Sequence, residues 1–252
     1  MSATIAVPAD GPYFEGHFPG RPILPGIVEL ALVAEALAPG GSASEISTIP
    51  FTRFRSLVLP GDRLEVSSMP RESGGARFEV RRAGALVANG ALTFGEARRN
   101  DLGTHAVAAR RPAAAPPVRD LIPHRPPALF VDRILGEADD GATCLGRVPA
   151  EFALVSEGSA PALVALEAAA QTAAVWEALR RRRATGRPAV RTGYLVSIKD
   201  AVLHRGTIDV DAELIASVRL EASMAELTTY AVDVSVEGGL ALKGTIGTYL
   251  GD

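Results

Sequence analysis

Apolar residues recur along this chain in two rhythms, and the order of the rhythms repeats. The first is helical. After Pro25-Gly26 the run Ile27-Val28-Glu29-Leu30-Ala31-Leu32-Val33-Ala34-Glu35-Ala36-Leu37 is apolar around most of its circumference and stops at Pro39-Gly40. Proline ahead of a helix and Pro-Gly behind it are apt punctuation: proline's fixed φ suits a helix start, and neither residue prolongs one. The second rhythm is that of strands, at Ile49–Leu59, Arg63–Met69, Arg77–Arg82 and Leu86–Phe94. The turns Pro60-Gly61-Asp62, Ser73-Gly74-Gly75 and Ala83-Gly84 between them predict an antiparallel meander.

The second half repeats this order at larger scale. Leu129–Ile134 and Ala142–Val148 read as strands, and a long helix is predicted from Pro161 to Arg183. Strands follow at Thr192–Leu203, Thr207–Leu220, Leu227–Val236 and Leu240–Leu250, with Glu237-Gly238-Gly239 turning the last hairpin. Between the halves, residues 97–117 lack apolar periodicity, and Pro112-Ala113-Ala114-Ala115-Pro116-Pro117 reads as a semi-extended linker. The pattern predicts an α+β chain built by internal duplication, with one unit at residues 1–96, a linker at 97–117 and a second unit at 118–252. Each sheet is expected to wrap its own helix.

Composition narrows the function classes. The 252 residues suffice for one large domain or two small ones, and 47% hydrophobic with 22% charged residues is ordinary for a soluble globular protein. A net charge of −3 gives no reason to expect nucleic acid. The single cysteine, Cys144, excludes an intramolecular disulfide and a cysteine-rich metal site. No basic apolar leader opens the chain, and the longest apolar run, Pro161–Trp176, is interrupted by Glu167 and Gln171 and is short for a membrane span. A cytoplasmic protein without membrane contact is the expectation.

Two places carry candidate chemistry. His17 lies in Tyr13-Phe14-Glu15-Gly16-His17-Phe18-Pro19-Gly20-Arg21-Pro22-Ile23-Leu24-Pro25-Gly26, a Gly/Pro-rich approach to the first helix. Histidine moves protons near neutral pH, and free N–H groups at the helix start by Gly26 can polarise a carbonyl. The plainer reading is a histidine that caps a turn. On the second helix, Glu167 and Gln171 are the polar exceptions in an apolar run and share one face at i and i+4. Burial raises a carboxyl's pKa, which suits a general acid. The plainer reading is a Glu–Gln hydrogen bond in the core.

The eleven residues from Gly16 to Gly26 resemble the signature of the hotdog-fold β-hydroxyacyl-ACP dehydratases. Leu121-Ile122-Pro123-His124-Arg125-Pro126-Pro127-Ala128-Leu129-Phe130-Val131-Asp132-Arg133-Ile134 resembles that family's N-terminal segment, and Glu167-Ala168-Ala169-Ala170-Gln171 resembles its catalytic-helix motif. The resemblance implies a double hotdog. Each half departs from the pattern. The family's acid falls fourteen residues after the histidine, where this chain has Ala31. Glu29, about 200° away around the helix, is expected to face elsewhere. Glu35 stands where the family has Gln. The second half has the acid but, in place of the histidine motif, Val155-Ser156-Glu157-Gly158-Ser159-Ala160.

In the family, each site takes its histidine from one unit and its acid from the other. The resemblance therefore implies one composite site, with His17 facing Glu167, and one vestigial site. Polyketide-synthase dehydratase domains look similar in this division, and so do the paired dehydratase subunits of aryl polyene clusters. The implied reaction is dehydration of (3R)-3-hydroxyacyl-ACP thioesters. His17 would be the base, Glu167 the acid and Gln171 its orienter; the Gly26 amide would hold the thioester oxygen, and Tyr13, Phe14 and Phe18 would wall the channel. No cofactor is called for. The substrate would ride on the phosphopantetheine arm of an acyl carrier protein, and the intramolecular pseudo-dimer could pair again as a homo-oligomer. The alternatives are a hotdog thioesterase and a non-catalytic acyl-binding or scaffolding subunit. His124 is read as structural; His105 falls in the expected linker and His204 beside Arg205 at an expected strand end. No His/Asp/Glu/Cys spacing suggests a metal site. Arg180–Arg183 read as favourable charge at a helix end, with carrier docking as the sharper reading. Arg21, Arg53 and Arg55 are rivals for that role.

Overall fold

The computed structural model describes residues 1–37, 42–72, 74–97, 115–186 and 190–251. In chain order its elements are β1 (Ser2–Ala6), α1 (Gly26–Leu37), β2 (Ile46–Phe54), β3 (Arg63–Pro70), β4 (Ala76–Arg82) and β5 (Ala85–Phe94). These are followed by β6 (Val131–Ala138), β7 (Gly141–Gly146), β8 (Ser159–Pro161), α2 (Ala165–Thr185), β9 (Gly193–Leu203), β10 (Thr207–Asp209), β11 (Leu214–Met224), β12 (Leu227–Val236) and β13 (Gly239–Leu250). The expected helix–meander order is present in both halves. Most of the expected linker, at 98–114, and the Pro39-Gly40 helix stop lie outside the described residues.

The double hotdog is present, and the meanders of its two units join edge to edge into one main sheet. Eleven strands run in the order β1-β3-β4-β5-β2-β9-β13-β12-β11-β7-β6, every pairing antiparallel. The seam is β2 against β9, with Ile49 opposite Ala201 and Thr52 opposite Ile198. An unpaired edge leaves backbone N–H and C=O groups to be satisfied, and two such edges satisfy each other. The run Thr207–Leu220 is also two strands rather than one. β10 pairs with β8 in a small second sheet, whereas β11 joins the main one. β1, a short edge strand on β3, is not among the expected strands.

The long sheet curls around both helices, as a double hotdog does. α1 packs on β1 and β3, and α2 on β6, β7 and β11–β13. Alanine and leucine dominate the first half of α2, so the helix forms readily and lies flush with the sheet. Leu166, Ala168, Ala169, Ala173 and Trp176 are fully buried there. By length and composition the helical stretch Ala162–Thr185 would pass for a membrane crossing, yet 83% of its most apolar 18-residue window is covered by protein. The Trp176 indole meets Tyr230 edge-on and donates to the Ala138 carbonyl, so its one polar atom is satisfied. α2 ends at Gly186, whose left-handed φ of 67° lets its N–H reach back to the Arg182 carbonyl.

Candidate active site

The loop between β1 and α1 presents His17, and the other half of the chain holds that loop in place. Gly16 has φ +73°, and a Cβ there would collide with the Arg125 carbonyl oxygen. The Arg125 N–H donates to the Gly16 carbonyl at 2.8 Å. The Arg125 guanidinium donates to the carbonyls of Ile122, Pro123 and His124, which fixes the turn carrying His124. The glycine-histidine motif and the Pro-His-Arg segment are therefore one backbone-to-backbone joint.

The hydrogen bonding of His17 defines its tautomer. Nδ1 lies 2.9 Å from the Ile23 carbonyl. A carbonyl only accepts, so Nδ1 carries the proton and Nε2 the lone pair. Burial lowers the imidazole pKa to about 4, against a smaller upward pull from the Ile23 bond. The ring packs on Phe18 with centroids 4.1 Å apart.

Glu167 sits in the first turn of α2, 6% exposed. Burial pushes its carboxyl up to about 7, with the Gln171 hydrogen bond pulling the other way. Gln171 has a full set of partners. Its Nε2 donates to Glu167 Oε1 at 2.9 Å and to the Ala128 carbonyl, and its Oε1 accepts from the N–H groups of Phe130 and Val131. It is a strut that fixes Glu167. The Glu–Gln core bond and the perturbed acid, rival readings of the sequence, are both present.

His124 belongs to this cluster, contrary to its purely structural reading. Its Nε2 lies 3.4 Å from Glu167 Oε1, and its ring stands 5.4 Å from His17 and 5.1 Å from Phe18. Burial, then the charges of His17 and Arg125, lower its pKa well below the ordinary value, so the ring is neutral. Donor atoms of His17, His124 and Glu167 all lie within 4.8 Å of one another. Linear spacing gave no hint of this set of two imidazoles and a carboxylate. These three side chains are the ones a divalent cation would use here.

A cavity of about 190 Å³ opens from this cluster. His17, Phe18, His124 and Glu167 line it with Gly26, Glu29, Phe54, Ala170 and Ala174. Gly26 begins α1 beneath the Phe54 ring, where a Cβ would come within 3.1 Å of the ring edge. Two expectations need correction. Phe14 lies in the core and Tyr13, half-buried, packs against it; neither lines the cavity, and Phe18 alone of the three forms its wall. Glu29 does not face away. It is 4% exposed and lines the cavity, while Ala31 packs in the core.

Arg180, Arg181 and Arg191 line the cavity too, along with Tyr194. Arg180 stacks on Trp176 and, with Arg181, flanks Glu177; Arg183 pairs with Glu137 at 2.9 Å. These pairings fit the helix-end reading of the arginine run. Arg21 lies 6.0 Å from the Tyr194 ring centre.

Comparison with known proteins places these features in a family. The ApeP dehydratase family profile matches residues 116–252, and the ApeI dehydratase profile matches residues 1–91. The 3-hydroxyacyl-[acyl-carrier-protein] dehydratase FabZ of Agrobacterium fabrum is 38% identical over 94 residues, covering 32% of this chain and 61% of that protein. FabZ of Roseiflexus sp. is 40% identical over 99 residues, covering 33% of this chain and 66% of that protein. The chain thus spans a little under two thirds of these relatives' length. Among solved structures, a trans-AT polyketide synthase dehydratase domain from Brevibacillus brevis superposes with a TM-score of 0.73 at 14% identity, covering 100% of this chain and 93% of that one. The dehydratase heterocomplex ApeI:P from Xenorhabdus doucetiae matches with a TM-score of 0.51 at 19% identity, covering 55% of this chain and 93% of the matched chain. The second half carries Glu167 on its central helix, the first half carries His17, and by the profile match over more than half of its length the chain belongs to the ApeP-like dehydratase family.

Proposed function

We propose that the protein removes water from (3R)-3-hydroxyacyl thioesters held on an acyl carrier protein, giving trans-2-enoyl thioesters. The observation that carries this reading is the convergence of His17 and Glu167 on one cavity, their polar atoms within 4.8 Å, where burial lowers the pKa of the first and raises that of the second. One two-carbon unit bridges such a gap. His17 Nε2 takes the proton from C2. The electron pair moves toward the thioester oxygen, where the Gly26 N–H at the start of α1 stabilises it. Glu167 then gives its proton to the C3 hydroxyl, the C–O bond breaks and the C2–C3 double bond forms. Water leaves. The imidazolium returns its proton to the carboxylate directly or through that water, which resets both groups. No oxidation state changes, so the reading calls on no redox group. Gln171 and His124 position the acid, and Phe18 walls the reacting carbons.

The two units, residues 1–96 and 118–252, supply one group each, which makes the second hotdog a requirement of the site. The carrier protein is the partner this substrate implies. The arginines beside the cavity, Arg180, Arg181 and Arg191, are chemically suited to the phosphate of its arm.

The test is an assay with a 3-hydroxyacyl thioester on carrier protein. Enoyl product is expected from the wild type, with a loss of 10²-fold or more, roughly, in both His17→Ala and Glu167→Gln. Free acid without enoyl product would identify a thioesterase instead. Tight binding without turnover would identify an acyl-binding subunit.

A further inference from the structure

The proposed reaction leaves one buried carboxyl unused. Glu29 lies on α1 one turn beyond Gly26, about 4.5 Å further along the helix axis. It is 4% exposed and lines the same cavity as His17 and Glu167. Among the described residues nothing bonds to its side chain: Oε1 is buried without a hydrogen-bond partner, and no ion pair or hydrogen bond reaches either carboxyl oxygen. The contrast with Glu167 is instructive. That carboxyl has Gln171 as a donor and His124 at its side, whereas Glu29 has the Phe54 wall and the aliphatic residues Ile23, Leu24 and Val58 around the same cavity.

A polar group buried without a partner is costly, and it is tolerated where something else fills the vacancy in use. We propose that Glu29 determines acyl specificity, its carboxyl exchanging hydrogen bonds with a hydroxyl carried on the substrate's acyl chain beyond C3. Burial pushes its pKa up to about 8, so it is a neutral acid under working conditions, with one O–H to give and one carbonyl oxygen to accept. A hydroxyl offers the same two functions and matches it. A plain alkyl chain leaves both unsatisfied. The arm of the carrier is assigned to the other side of the cavity. The α2 stripe Glu167, Ala170, Ala174, Glu177, Arg181 runs from the reacting group to the arginine end, and Glu29 stands on the opposite helix.

This assignment rests on the dehydratase reading for the nature of the ligand, so the experiment has a turnover arm and a binding arm. In the first, kcat/KM is compared for a plain 3-hydroxyacyl chain and for equal-length chains with a second hydroxyl moved one carbon at a time. The wild type is expected to prefer one hydroxyl position by roughly 10-fold or more over the plain chain, because unpaired buried groups discriminate strongly. Glu29→Leu should abolish that preference, and Glu29→Gln, which keeps a donor and an acceptor, should retain most of it. In the binding arm, calorimetry measures the same chains as non-hydrolysable amide analogues, with and without the pantetheine portion. A hydroxyl preference there, in the absence of any turnover, would leave Glu29's role standing and remove the dehydratase reading. Equal values for all chains in wild type and Glu29→Leu would overturn the role of Glu29. A Glu29→Leu effect that follows the pantetheine portion and ignores the chain would overturn it as well.

Discussion

The Nε2 atom of His124 stands 3.4 Å from Oε1 of Glu167, although the two residues belong to different motifs 43 positions apart in number, a separation shared by the Gln171–Ala128 bond beside them. His124 is neutral, and its ring packs on Phe18 with centroids 5.1 Å apart, so it is part of the cover that buries the carboxyl. Burial is the main reason that Glu167 holds its proton up to about pH 7. Removing the ring admits water and restores the carboxyl toward its ordinary value. In His124→Ala the alkaline limb of the pH–rate profile should move down by about one pH unit, with a loss of roughly 5-fold at pH 7. An unchanged limb with a uniformly lower rate would mean that His124 serves the fold alone.

The wild-type profile of kcat/KM should itself be bell-shaped. His17 must be unprotonated, so activity is lost as pH falls through about 4. Glu167 must be protonated, so activity is lost as pH rises through about 7. The plateau lies between these values. Glu167→Asp should keep two limbs, while Glu167→Gln should erase the alkaline one along with most of the rate.

Glu29 predicts a gain of stability on mutation. Its folded pKa of about 8 is raised above the ordinary 4.5. The native state therefore holds a proton that the unfolded chain releases between these values, and stability falls as pH rises through the window. Glu29→Leu removes both this dependence and the unpartnered group, worth about 1–3 kcal/mol. For a chain of this size each kcal/mol raises Tm by roughly 2–4 °C. Calorimetry should find the gain smallest near pH 4.5 and largest near pH 8. A gain independent of pH would contradict the burial of Glu29 as a neutral acid.

Gly16→Ala should be among the most damaging small substitutions. The new methyl meets the Arg125 carbonyl, and φ is +73°. Positive φ costs about 1–2 kcal/mol and forced overpacking about 1–3. Because the joint also aims His17, activity should fall by more than the unfolded fraction accounts for, as measured by turnover normalised to folded protein. Gly20→Ala is the control: its φ is also positive, but a Cβ there meets open space. Equal damage in both would point to backbone strain rather than to the joint.

Much of the fold was legible in the sequence because it depends on local rules. α1 follows Pro25, and the β3–β4–β5 meander turns where glycines allow it. Glu167 and Gln171 announced themselves as polar residues in an apolar helix. The residues that escaped are those whose surroundings come from the other half. Periodicity says which residues of α1 share a face, but only the arrival of α2 decides which part of that surface becomes cavity. Hence Ala31 lies in the core and Glu29 on the cavity that His17 also lines. The same holds for His124, whose local sequence explains a turn and whose neighbours explain a site. Tyr13 and Phe14 erred in the opposite direction: proximity in sequence to His17 put them on the wall, while both pack with the core. The β2–β9 seam was illegible because each strand alternates as an ordinary strand would, and nothing local distinguishes an edge from an interior position.

That seam has a consequence for how the molecule is made. β2 ends at Phe54 and its partner β9 begins at Gly193, so the ribosome must deliver everything between them before the pairing can close. At 5–20 residues per second this is on the order of ten seconds. Throughout that interval the nascent first unit displays an open strand edge, the template on which neighbouring chains on a polysome can add. The fusion of two hotdogs into one polypeptide shortens this vulnerable period relative to a search for a separate partner: the closing strand arrives tethered, at a local concentration set by the chain itself.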